Sequence, residues 1–139
     1  MRAPWEKFSL PAGGTPRALG SSTEFVRTMR EIFGALVERV ATLPAGNHAW
    51  LMAEVPSEGS LSVFFRDLEK RLEPSGCLWV VFPRKPFMEE LGFPYRWLDV
   101  QKAGLAAGLV DNKIAAFSAR LTSIRFVIPV ARRPKRSDR

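Results

Sequence analysis

Apolar residues along this 139-residue chain follow two rhythms. Phe25, Val26, Met29, Ile32, Phe33, Leu36, Val37 and Val40 recur at the three-to-four spacing of a helix face. Ser21, Ser22 and Thr23 precede them, with Glu24 following. Hydroxyl side chains there accept the free N–H groups of a first turn, and the acid complements the helix dipole. The pattern predicts a helix over 23–41. Leu61, Phe64, Phe65, Leu68 and Leu72 predict a second over 60–72, and a third runs over 95–107 with Gly108 past its end. The other rhythm is continuous. Cys77, Leu78, Trp79, Val80, Val81 and Phe82 form an unbroken apolar run between Pro74-Ser75-Gly76 and Pro83. Such a run reads as a strand buried on both faces. Strands are also predicted over 15–20, 49–55, 110–117 and 121–130, the last two as an antiparallel pair.

Alternating strands and helices predict a three-layer α/β domain. Its sheet is mostly parallel with about five strands, helices cover both faces, and the C-terminal strand is antiparallel. Residues 1–14 are rich in Pro and Gly and read as an irregular arm pinned by Trp5 and Phe8. Residues 15–130 form the single domain. Residues 131–139 form a basic tail expected to be disordered.

Composition narrows the class. Hydrophobic residues at 46% and charged residues at 25% fit an ordinary globular protein. No apolar run approaches the roughly 20 residues of a membrane span. The N-terminus lacks the apolar core of a signal peptide, so a cytoplasmic location is expected. The single cysteine, Cys77, excludes an internal disulfide and reads as a core residue. The net charge is +7, and more than half of it lies in the last eight residues. Arg132, Arg133, Lys135 and Arg136 are therefore candidates for touching nucleic acid or another polyanion.

Arg84 and Lys85 follow the carboxyl end of the buried strand, the edge at which open α/β sheets bind ligands. Across that edge stand Gly20, Ser21 and Ser22, with the expected free N–H groups of a helix start. Together these five residues are the candidate anion site. His48, the only histidine, reads as a surface residue, and no metal site can be built around it. Glu89 and Glu90 are adjacent on an extended loop and point apart. Phe87, Met88, Leu91 and Phe93 in the loop 86–94 read as an exposed patch for a protein partner or a homodimer.

Three segments carry a resemblance. Residues 68–85 read L-E-K-R-L-E-P-S-G-C-L-W-V-V-F-P-R-K. Residues 103–118 read A-G-L-A-A-G-L-V-D-N-K-I-A-A-F-S, and 121–129 read L-T-S-I-R-F-V-I-P. Together they resemble a bacterial group known as domain of unknown function family 3052, over roughly 61–129. Leu121-Thr122-Ser123 stands where that group has Trp-Ser, and Arg84 replaces its first Lys. The element order resembles the second half of a class I (Rossmann-like) methyltransferase. That resemblance implies a fold and no activity.

A methyltransferase of this class needs a glycine-rich turn after the first strand and an acid ending the second. Leu19-Gly20-Ser21-Ser22 holds one glycine, and 24–47 is consumed by the predicted helix and a turn. The chain is therefore expected to be shortened and free of cofactor, with no catalytic residue assigned. The favoured function is a non-enzymatic binding or interaction domain with an anionic or nucleic-acid partner. Two alternatives stand beside it: an S-adenosylmethionine- or nucleotide-binding methyltransferase-like enzyme, and a protein–protein module or homodimer.

Overall fold

The computed structural model describes residues 2–133. Lys135 and Arg136 of the expected tail lie outside the described residues. The strands are β1 (Arg17–Leu19), β2 (Glu38–Arg39), β3 (His48–Glu54), β4 (Leu72–Pro83), β5 (Val110–Ala116) and β6 (Leu121–Val127). The helices are α1 (Thr23–Phe33), α2 (Leu61–Glu69) and α3 (Trp97–Ala106). One six-stranded sheet runs in the order β2-β1-β3-β4-β6-β5. Its first four strands are parallel, and β6 is antiparallel to both β4 and β5. No helix among the described residues is long and apolar enough to cross a membrane.

Period-two alternation in the central strands feeds two cores. Trp50, Met52, Cys77, Trp79 and Val81 point to one face, where Phe25, Met29 and Phe33 of α1 cover them. Leu51, Ala53, Leu78, Val80 and Phe82 point to the other, under Phe65 and Leu68 of α2 and Val100 of α3. Every residue of β4 from Cys77 to Pro83 is buried, because β3 and β6 flank it and both faces are covered.

The helix predicted over 23–41 stops at Phe33. Gly34 caps it at φ +54°, a left-handed backbone that suits glycine. The chain then makes a single 3-10 turn over Gly34–Leu36 and pairs Glu38 and Arg39 with Arg17 and Ala18 as β2. The second strand expected to be missing is therefore present, and the sheet has six strands. Leu36, Val37 and Val40 matched the helical period only by continuation past a glycine.

The arm makes up for a helix on the α1 face. Phe8 is fully buried, with ring centroids 5.3 Å from Phe33 and 5.0 Å from Trp79. Its carbonyl accepts the indole N–H of Trp50 at 2.8 Å and of Trp79 at 2.9 Å. Two large aromatics thus satisfy their only polar group on one backbone oxygen. Trp5 contributes less, at 37% exposure.

Phe8→Ala empties this contact and is expected to lower unfolding stability by about 3–5 kcal/mol, the range for a buried Phe. Urea denaturation checks this. A loss below about 1 kcal/mol would show that the arm is not part of the core.

Candidate functional site

The strand order reverses between β1 and β3. From β1 the chain passes through α1 to β2 on one side, then returns to β3 on the other. Loops that leave neighbouring strands in opposite directions open a crevice beyond their carboxyl ends, the position at which open α/β sheets take ligands. A cleft of about 570 Å³ lies there. One wall is the β1–α1 turn and first helical turn, Ser21 to Glu24. A second is the run Glu54 to Glu58 after β3. Pro83, Leu91, Phe93 and Leu121 form the apolar side, and Arg120 stands beside them.

Glu54 ends β3 and reaches into the β1–α1 turn. Its Oε1 accepts the Ser21 N–H at 3.2 Å and the Ser22 N–H at 3.1 Å, and its Oε2 accepts the Ser22 hydroxyl. Ser22 Oγ in turn accepts the Phe25 N–H at 3.3 Å and caps α1. The Ser21 and Ser22 N–H groups, expected to stand free, are therefore held by the chain's own carboxylate. Gly20 is required for this approach. A Cβ there would lie 2.5 Å from the Phe25 ring and 2.9 Å from Glu54 Cβ.

Glu24 enters from the first turn of α1 and is 9% exposed. Arg120 donates to it at 2.7 Å, Ser118 Oγ donates to it as well, and Arg120 also reaches Glu90 at 3.0 Å. Burial pushes the Glu24 carboxyl up. The hydrogen bonds from Ser118 and Arg120, with the Arg120 charge, more than reverse this and hold it below its ordinary 4.5. The acceptors Glu90 and Glu24 hold the Arg120 guanidinium above its ordinary value. This bridge ties α1 to the loop after β4 along one side of the cleft.

The structure places the sequence candidates in three groups. Ser21 and Ser22 line the cleft, with Gly20 just behind them. Arg84 and Lys85 are exposed at the same edge and do not line it. Arg84 Nη1 donates to Ala119 O at 2.8 Å, and its guanidinium lies 5.8 Å from the Phe87 ring centre. Arg132 and Arg133 lie at the opposite edge, beyond the end of β6. There Arg132 bonds Gly108 O and Glu69, and Arg133 bonds Ile128 O. The structure therefore does not bring the two cationic groups together. The loop 86–94 is no exposed patch: Phe93 is buried, Phe87, Met88 and Leu91 are half-buried, and Met88 and Leu91 pack against the two cores. Glu24, Glu54, Glu58 and Arg120 were missed. The one legible signal was an acid, Glu54, ending an apolar strand run just before Pro56.

His48, expected at the surface, is 6% exposed at the start of β3, and its Nε2 has no hydrogen-bond partner. On β2, Glu38 is paired with Arg17 at 3.0 Å and does not line the cleft.

No protein-family model matches this chain, and no curated protein matches its sequence. Solved structures do match its fold. It is similar to the CcbJ methyltransferase from Streptomyces caelestis, with TM-score 0.61 and 13% identity, covering 91% of this chain and 94% of that one. A TehB-like SAM-dependent methyltransferase from Corynebacterium glutamicum gives TM-score 0.59 at 10% identity, covering 91% and 86%. Magnesium protoporphyrin IX methyltransferase from Synechocystis, solved with bound SAM, gives TM-score 0.55 at 13% identity, covering 85% and 61%. The fold is therefore methyltransferase-like. These neighbours overturn the expectation of a non-enzymatic binding domain and favour the methyltransferase alternative.

Burial pushes the His48 imidazole below its ordinary 6.5. The unfolded chain then binds more protons than the folded one just below pH 6.5, so stability rises with pH through that window. It is fully present above 6.5 and is lost as pH falls toward the folded-state value. Urea unfolding from about pH 7.5 down to about pH 5 is expected to show this slope in the native protein and a flatter one in His48→Gln. Equal slopes would remove His48 as the cause.

Proposed function

We propose that this protein binds an adenosyl cofactor of the S-adenosylmethionine type in the cleft at the β1/β3 reversal and is a methyltransferase-like enzyme. The observation that carries this is positional. The cleft lies beyond the carboxyl ends of β1, β3 and β4, where the order of a methyltransferase-like sheet reverses. Its volume of about 570 Å³ falls within the usual range for small-molecule clefts.

The residues present fit such a group in outline and differ in detail. The β1–α1 turn passes close under the cleft because Gly20 carries no side chain. Glu54, Ser57 and Glu58 offer acceptors to hydroxyl or ammonium groups, while Val55, Pro56 and Phe93 offer an apolar wall. The acid on β2 does not serve, since Glu38 is tied to Arg17. The carboxylates of the second wall, Glu54 and Glu58, stand in its place. When bound, S-adenosylmethionine supplies a methyl group on a sulfonium sulfur. The chain's own part is to hold the adenosyl moiety at the sheet edge, and Pro83, Leu91, Phe93 and Leu121 keep water from that side. The likeness of 68–85, 103–118 and 121–129 to domain of unknown function family 3052 stands as a narrower proposal on those residues alone.

Isothermal titration with S-adenosylhomocysteine tests the reading. Binding tighter than roughly 100 µM is expected. Ser57→Trp, which fills the cleft from an exposed position on its wall, is expected to weaken binding by at least about tenfold with the melting temperature unchanged. No binding of the cofactor or its product to folded protein would overturn the reading.

A further inference from the structure

Helix starts at the carboxyl edge of α/β sheets are ready-made anion sites, because N–H groups and the helix dipole point at the ligand. In this protein a carboxylate already stands at that position. Glu54 accepts the Ser21 and Ser22 N–H groups and the Ser22 hydroxyl, so its carboxylate stands beside the helix start at which a ligand's phosphate would sit. The arrangement is built in from two directions. Glu54 is fixed at the end of a buried parallel strand, with Leu51, Met52 and Ala53 before it in the core. Gly20, on the opposite side, has no room for a side chain beside Glu54 Cβ. The glycine of this turn thus makes way for an internal carboxylate.

The consequence is chemical. Glu54 is half-buried and lines the cleft, so it shows the ligand a negative group with one acceptor site left, on Oε2. Glu58 stands on the same wall. The nearby cation, Arg120, is spent on Glu24 and Glu90, and Arg84 and Lys85 lie off the cleft. A phosphate entering here displaces Glu54 or sits against it, and like charges at contact repel. A group with hydroxyl, ammonium or sulfonium character meets an acceptor instead.

We infer that Glu54 is the specificity-determining residue of this cleft: it selects adenosyl ligands whose 5′ substituent is neutral or cationic and rejects 5′-phosphorylated nucleotides. This rests on the adenosyl-cofactor reading above and narrows it, separating sulfur-linked adenosyl compounds from nucleotides.

The test compares S-adenosylhomocysteine with adenosine 5′-monophosphate by titration calorimetry, on the native protein and on Glu54→Gln. The substitution keeps the side chain's length and an acceptor oxygen but removes the charge. The native protein is expected to favour the sulfur compound by at least about tenfold, and Glu54→Gln is expected to shrink that ratio by about tenfold. Glu54→Asp, which keeps the charge, is expected to retain most of the preference. Amide NMR of the native protein adds a reading that needs no variant: inorganic phosphate is expected to leave the Ser21 and Ser22 amides unmoved.

Nucleotide binding as tight as that of the sulfur compound, or a ratio unchanged in Glu54→Gln, overturns the role of Glu54 and leaves the cofactor reading standing. Phosphate-shifted Ser21 and Ser22 amides overturn it too, whatever the cofactor does. Silence of the calorimeter with both ligands takes down the cofactor reading and this inference with it.

Discussion

The carboxylate of Glu54 on the β1–α1 turn is the constraint around which the carboxyl edge of the sheet is arranged. One side chain at the end of β3 receives two backbone N–H groups and a hydroxyl from residues 32 and 33 positions earlier in the chain. Charge-assisted bonds of this kind contribute about 1.5–3 kcal/mol each when buried and less at a half-exposed site. Their larger effect is geometric. They fix the start of α1 against the end of β3, and the cleft is the space between those two elements. Gly20 belongs to the same constraint, since any side chain there meets both Phe25 and Glu54.

Behind that edge, few helices do the covering. α2 and α3 cover one face, and α1 alone covers part of the other. The remainder falls to the arm. Phe8 reaches over β3 and β4 and offers its carbonyl to Trp50 and Trp79, neighbours across those strands that would otherwise bury an indole N–H without a partner. The arm, through its single 3-10 turn Glu6–Phe8, thereby completes the core on the α1 face. The Arg120 bridge from Glu24 to Glu90 does the corresponding work at the cleft, holding the loop after β4 against α1.

What was legible in the sequence is what local pattern encodes. The apolar run from Cys77 to Phe82 is the central strand, Ser22 is the helix cap, and α2, α3 and the final antiparallel pair lie close to their predicted ranges. β2 was not legible for a physical reason. It is two exposed, charged residues, Glu38 and Arg39, whose strand character exists only in their pairing with β1. Reading the helix through Gly34 erased that strand, and its supposed absence then argued against an enzyme. The cleft was half visible. Ser21 and Ser22 were read as a helix start by cap chemistry, and they line the cleft. Glu54 was invisible as their partner, because no local rule connects a strand-end acid to a turn more than thirty residues away. Arg84 and Lys85 were attractive by charge and sit just outside the cleft, occupied by Ala119 O and the Phe87 ring in the case of Arg84.

In the proposed function, the cleft between α1 and the end of β3 receives an adenosyl cofactor. A crystal structure grown with S-adenosylhomocysteine tests it most directly. Electron density for the ligand is expected against Ser22, Glu54, Pro56 and Phe93, with the Glu54 bonds to the Ser21 and Ser22 N–H groups intact. Density at another surface, or a cleft that stays empty at saturating ligand, would contradict it.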